Sequence, residues 1–214
     1  MTTAVRRKTP TSKRRRRYLP SAERKPEILD AAFVEFSNRG YTSTTVEAIA
    51  ARAGLSKAGI YAHYKSKEDI FEDLLMTVLV PSERGEISLD RDNALESIVE
   101  SYLDGVYLAL EQPKTLATFR LLVLESRRIP AALLRRWHDR IMACQLLNDR
   151  ALLDECIRRG IIRRGVMTDS RLLVGTPAVS WICHHLLFGE DTFIPLAEMR
   201  QDHKRMLMEL LSPR

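Results

Sequence analysis

With 214 residues, 45% of them hydrophobic, the chain can bury a substantial core, which excludes a wholly disordered polymer. Its net charge of +6 is unevenly spread: residues 1–25 hold ten Lys or Arg and one acid, Glu23, a local +9 that leaves −3 for the other 189 residues. A near-neutral body therefore carries a cationic N-terminal tail, and the high isoelectric point belongs to the tail.

That tail comes first in chain order. Residues 1–22 include Lys13, Arg14, Arg15, Arg16 and Arg17, a run of like charge that cannot bury itself and is expected to be a disordered basic arm. Beyond it, apolar residues recur at spacings of three and four between prolines that sit where helices start or stop. Alternating strands and Asn-Gly hairpins are missing, so the expected fold class is all-α. A first helix is expected over about residues 25–39, with Ile28, Leu29, Ala32, Phe33 and Phe36 on one face and Gly40 as its stop. Thr44 or Thr45 caps a short second helix ending at Gly54, Ser56 caps a third over about 57–64, and Ser66 caps a fourth that runs to about 80. A polar stretch, 82–91, then leads to a larger helical body. Its helices are expected at about 92–111, 113–126, 130–160 with a break near Asn148, 169–188 with a start or kink at Thr176-Pro177, and 195–211. The domain division is 1–22, 23–70 and 71–214.

Cys144, Cys156 and Cys183 are odd in number and contain no CxxC pair, which argues against a disulfide scaffold or a four-cysteine zinc site and for a reducing compartment. The longest apolar runs fall well short of the roughly 18 residues of a membrane span. The basic start has no apolar stretch behind it, unlike a secretory signal. A soluble, cytoplasmic protein without a membrane partner is expected.

The informative segment is 46–64. Where two helices cross closely, a small residue at the crossing, a glycine at the turn four residues later and an apolar anchor six residues beyond suit a helix-turn-helix; Ala50, Gly54 and Ile60 have that spacing. Together with Gly40-Tyr41, Thr44-Thr45-Val46, Ala53-Gly54-Leu55-Ser56-Lys57, Ile60-Tyr61, His63-Tyr64 and Ser66-Lys67-Glu68, this segment closely resembles the DNA-binding domain of the TetR/AcrR family of transcriptional regulators. The resemblance is dense from about 24 to 75 and loose beyond. The stretch 119–130 followed by Trp137 looks like the ligand-binding half of an AefR-like subgroup. The implied architecture is an N-terminal three-helix helix-turn-helix domain plus a larger C-terminal helical ligand-binding and dimerisation domain.

The resemblance also implies roles for single residues. Ser56, Lys57, Ala58 and Gly59 at the start of the third helix would enter the major groove, with Lys57 able to donate to guanine and Ala58 to touch a thymine methyl. Gly59 stands where the family often has Thr. Thr44, Thr45, Tyr61, His63 and Lys67 would contact phosphates. Taken singly, each has a plainer reading: Tyr61 as core, Thr44 as a helix cap, Lys67 as a solvated charge. Beside such a domain, Arg14, Arg15, Arg16 and Arg17 would serve as a minor-groove or backbone arm, the alternative being a solvated tail.

In the body, the family dimerises through its last two helices. The expected interface is Leu172, Val179, Trp181, Leu186 and Leu207, a central helix within one subunit being the alternative. For a small-molecule pocket, Tyr102, Tyr107, Phe119, Trp137, His138 and Cys144 offer aromatics beside polar groups, a set that also suits ordinary core. Adjacent His184 and His185 project about 100° apart on a helix and seldom share one ion, so no metal or cofactor is expected beyond an unidentified small-molecule effector. The function that follows is a homodimeric, sequence-specific, ligand-responsive regulator of transcription, most simply a repressor, on a pseudo-palindromic operator of double-stranded DNA. A non-specific DNA-binding protein driven by the arm is the alternative. A small all-α enzyme would need a phosphate loop, metal motif or nucleophile elbow that the sequence lacks.

Overall fold

The computed structural model describes residues 21–79, 94–144, 149–189 and 194–213, together with residues 89, 92 and 147. Of the expected basic arm at 1–22, residues 1–20 lie outside the described residues, as does nearly all of the polar connection at 82–91, while Ser21 and Ala22 begin the first helix. Among those described, every regular element is a helix.

Helix α1 (Ser21–Ser43) is broken at Gly40, whose φ of 76° and ψ of 169° lie in a region open essentially to glycine alone. The expected stop at Gly40 is thus present, followed by one further turn. The four-residue spacing of Ile28, Ala32 and Phe36 makes one buried stripe. Short helices α2 (Val46–Arg52) and α3 (Lys57–Tyr61) follow, each begun by a side chain that accepts an otherwise unpaired N–H: Thr45 takes that of Ala48 at 3.2 Å, and Ser56 that of Gly59 at 3.1 Å. The turn between them closes on Gly54, at a φ of 68°. Helix α3 is shorter than expected, ending at Tyr61, and α4 (Lys67–Leu79) starts beyond Ser66, which caps Asp69.

The body comprises α5 (Ala94–Leu110), α6 (Pro113–Glu125), α7 (Ala131–Cys144), α8 (Arg150–Arg158), α9 (Val166–Asp169), α10 (Arg171–Val174), α11 (Thr176–Phe188) and α12 (Leu196–Leu211). The expected break near Asn148 is real, with Asp149 capping α8 through Ala151 and Leu152. The single helix expected over 169–188 is instead α10 and α11, set off from α9 because Ser170 leaves the helical region and from each other at Gly175-Thr176-Pro177.

Two hydrophobic cores form, and they do not divide at residue 70. The first holds Ile28, Phe36, Ile49, Ile60, Phe71 and Leu74 from α1–α4, but it is completed by Leu121 and Leu122 of α6, Ile129, and Leu133 of α7. Phe36, Tyr41 and Phe71 form its aromatic centre, with ring centroids 4.9–5.9 Å apart. The second core joins α5 to α8–α12 around Ile98, Leu103, Cys156, Trp181 and Leu207. Phe119 packs against both. The expected boundary between 70 and 71 falls inside α4, whose residues on either side of it, Ile70 and Phe71, are buried in the same core.

Candidate nucleic-acid interface

The geometry around α2 and α3 separates the residues expected to touch DNA into two groups. Ser56, Lys57 and Ala58 are exposed at the start of α3, Tyr61 is 46% exposed at its end, and Thr45 is exposed at the start of α2. Gly59 and His63 are half-buried. Ile60, between these exposed positions, is fully buried and fixes α3 to the core. A single helical surface therefore presents Lys57, Ala58 and Tyr61 outward, beside the exposed start of α2 at Thr45.

Thr44 and Lys67 belong to the other group: the expectation of phosphate contact through the side chain is corrected for the buried Thr44, while the half-buried Lys67 is engaged with the protein's own backbone. Thr44 is 1% exposed, and its hydroxyl points to the carbonyls of Glu35 at 3.0 Å and Gly40 at 2.8 Å. Its hydroxyl tethers α1 to the following turn. The Lys67 ammonium donates to the carbonyls of Tyr41 at 2.8 Å and Thr42 at 3.2 Å and lies 4.6 Å from the centre of the Tyr41 ring. It satisfies the open carbonyls just after Gly40, the usual task of a cation at a helix C-terminus.

Lys57 is exposed yet engaged. Its ammonium pairs with Glu47 of α2 and sits 5.8 Å from the Tyr61 ring centre. The hydrogen bond to Glu47 raises the Lys57 pKa, and the reciprocal bond lowers that of Glu47. This pairing favours the charged ammonium and holds it beside the outward face of α3.

Behind this surface, Glu35 is buried and receives Arg52 of α2 at 2.6 Å and Arg39 of α1 at 3.0 Å. A buried carboxylate needs such partners. The Glu35–Arg39 spacing of four was legible in the sequence, whereas the Arg52 link was not.

The interface is braced against the body. Lys114 of α6 pairs with Asp30 of α1 at 2.6 Å, Arg136 of α7 chelates Glu72 of α4, and Glu125 at the end of α6 accepts the backbone N–H of Tyr41 at 3.2 Å. No sequence signal marked Glu125 as a contact across 84 residues.

The remaining expected sites fall as follows. Tyr102 and Tyr107 are buried in the second core, Phe119 bridges the cores, and Trp137 packs against the first. His138 is exposed and turned outward to Asp139, away from these aromatics. The Cys144 side chain lies outside what is described. The Tyr107 hydroxyl donates to His203 Nδ1 at 3.0 Å, and His203 Nε2 donates to the Val174 carbonyl at 2.8 Å, an arrangement the neutral ring satisfies. The Tyr102 hydroxyl and the Trp137 indole N–H are buried without a hydrogen-bond partner.

Of the expected dimer residues, Leu172 (70% exposed) and Val179 are outward and Leu186 is half-buried. Trp181 and Leu207 are instead part of the subunit's own core, Trp181 donating to the Ile194 carbonyl at 3.0 Å. Leu187 and Phe188 extend the exposed apolar face of α11. Among the described residues no group of three or more His, Cys, Asp or Glu is arranged to hold a metal ion, and no helix is long and apolar enough to cross a membrane.

Known proteins share these features. The sequence profile of the bacterial regulatory proteins of the tetR family matches residues 28–74. The HTH-type transcriptional regulator YhgD of Bacillus subtilis is 33% identical over 98 residues, 44% of this chain and 49% of that protein, so the chain spans about half the length of this relative. HTH-type transcriptional regulator AcrR of Shigella flexneri is 26% identical over 88% of this chain and 89% of its own length. The fold as a whole is that of SmeT, repressor of a multidrug efflux pump of Stenotrophomonas maltophilia, with a TM-score of 0.66 at 18% identity over 87% of this chain and 89% of that one. Residues 28–74 thus form a helix-turn-helix domain of the tetR family of bacterial regulatory proteins, joined to a helical body that completes a fold like that of SmeT.

Proposed function

We propose that the protein is a homodimeric, sequence-specific DNA-binding regulator of transcription, acting as a repressor that a small molecule releases from a pseudo-palindromic operator. The observation that carries this reading is the outward face of α3. Lys57, Ala58 and Tyr61 are exposed on a helix whose opposite side, Ile60, is locked into the core, as a major-groove reader requires. With one polar side chain at its tip, this helix reads bases thinly. Specificity would lean on close backbone approach at Ala58 and Gly59 and on DNA shape. SmeT, a repressor of similar fold, supports the repressor role.

Dimerisation is supported by Leu172, Val179, Leu187 and Phe188, whose exposure on α10 and α11 leaves apolar area to cover. An effector is supported by the unpartnered Tyr102 hydroxyl and Trp137 N–H, since each buried orphan costs about 1–3 kcal/mol that a bound polar group would relieve. The ligand and the operator would then oppose one another reciprocally, each weakening the other's binding by the same factor. The basic arm at 1–20 would add backbone contacts, and the site of action is the cytoplasm.

Selection of bound duplexes from a random DNA pool at about 150 mM salt tests the reading, because non-specific phosphate binding is strongly weakened there. A two-fold symmetric motif is the expected result. Recovery of no motif, from protein shown to carry no co-purified small molecule, would favour a non-specific binder driven by the arm.

A further inference from the structure

Helix α6 runs beside α1 and parallel to it. Lys114 meets Asp30 at one end, and eleven residues further along both helices Glu125 meets the N–H of Tyr41. The paired stretch spans roughly 16 Å at 1.5 Å per residue. The turn that follows α6, residues 126–129, therefore lies level with the turn between α1 and α2. In a helix-turn-helix the helix before the recognition helix crosses the phosphate backbone. Residues 41–45, which lead into that helix, sit at the same level of the molecule as this turn of the body.

Two arginines occupy that turn. Arg128 is tied to Glu125, its Nη1 lying 3.0 Å from Oε1, while the other oxygen of the same carboxylate holds Tyr41. Glu125 is thus consumed twice over. Arg127 is exposed and makes no ion pair among the described residues. Ile129, two residues on, is buried in the first core, and the N–H groups of Arg128 and Ile129 both return to the Glu125 carbonyl, at 2.8 and 3.1 Å. The turn is consequently rigid, anchored on the DNA-binding side of the molecule, and displays one uncompensated guanidinium.

We infer that Arg127, on the body rather than on the helix-turn-helix domain, is a DNA phosphate-binding residue that extends the contact surface beyond the α1–α2 turn. The inference rests on the DNA-binding reading above. It assigns to the body a direct share in affinity and none in sequence choice, because a guanidinium on a phosphate reads charge and not base.

The test compares full-length wild type with Arg127→Ala, Arg127→Lys and Arg164→Ala on the duplex recovered by selection, measuring the slope of log K against log salt. Arg164 is also exposed but lies beside Arg163, whose N–H bonds Leu211 at the end of α12, on the second core. Its removal changes net charge equally at a remote place. Arg127→Ala is expected to lower the slope by about 0.9 per protomer, to keep the selected motif, and to melt as wild type does. Arg127→Lys is expected to restore the slope and Arg164→Ala to leave it unchanged. An Arg127→Ala slope equal to wild type, or an equal loss with Arg164→Ala, overturns the inference while leaving the regulator reading intact. Wild type that selects no motif and binds no duplex overturns both.

Discussion

Replacing Gly40 by alanine tests how the interface is joined to the body. At φ 76° and ψ 169° an alanine incurs about 1–3 kcal/mol of backbone strain. Its Cβ would also meet Cδ and Oε1 of Glu125 at 3.1 Å, tighter than a well-packed contact. If Glu125 retreats, the Tyr41 N–H loses a charged acceptor in a half-buried place, a further loss of about 1–2 kcal/mol. The expected total is about 3 kcal/mol. At about 2–4 °C per kcal/mol for a chain of this size, the melting temperature should fall by roughly 6–12 °C. Circular dichroism melts at one fixed protein concentration measure this, and a cycle with Glu125→Ala separates the two parts: strain persists in that background, the steric conflict does not. A Gly40→Ala variant melting within about 2 °C of wild type would refute the reasoning, and additive effects of the two substitutions would refute the Gly40–Glu125 conflict.

Other substitutions probe other links. Tyr61→Phe keeps the ring and removes a hydroxyl expected on a phosphate, so operator affinity should drop roughly five- to tenfold, the worth of about 1–1.5 kcal/mol, with an unchanged melt in differential scanning fluorimetry. Leu172→Glu with Leu187→Glu, at positions 70% and 76% exposed in one subunit, should yield a folded monomer by sedimentation velocity; a persisting dimer would place the interface elsewhere. Burial holds the His203 pKa below its ordinary value, so the unfolded chain takes up the proton first as pH falls. Stability should therefore be complete above about pH 6.5 and decline below it by up to about 1.4 kcal/mol per pH unit. His203→Gln should flatten that limb in denaturant titrations, leaving the later acid loss from Glu72 and Glu100, whose pKa values are lowered chiefly by Arg136 and Lys204. Phe119→Ala, which removes the ring shared by both cores, should lower stability by about 3 kcal/mol and broaden the thermal transition.

What the sequence made legible was local. Gly40, Thr45, Ser56 and Asp149 act within a few residues of themselves, so their types and spacings foretell caps and stops. The Ala50, Gly54, Ile60 spacing succeeded for the same reason. Neighbouring threonines did not announce which would turn inward: Thr44 reaches the carbonyls of Glu35 and Gly40, while Thr45 caps Ala48. Lys67 reads as a free cation until the carbonyls of Tyr41 and Thr42, 26 and 25 residues away, are seen beneath it. The α11 stripe was correctly seen as apolar, but apolarity alone does not tell Trp181, which the subunit buries, from Leu187, which it leaves out. Glu125, Phe119 and the sharing of α6 and α7 between the cores depend on tertiary pairing and had no local mark.

That the first core takes Leu121, Leu122, Ile129 and Leu133 from far along the chain has a consequence for how the protein comes into being. When residues up to about 80 have left the ribosome, the helix-turn-helix has its caps but lacks the wall that Leu121, Leu122, Ile129 and Leu133 supply. The nascent segment must wait, with sticky surface showing, until some fifty more residues emerge. It is also a poor candidate for transplantation: fused alone to another protein as a DNA-reading module, residues 21–79 would carry an open greasy flank, and a usable graft would need α6 and α7 supplied with it.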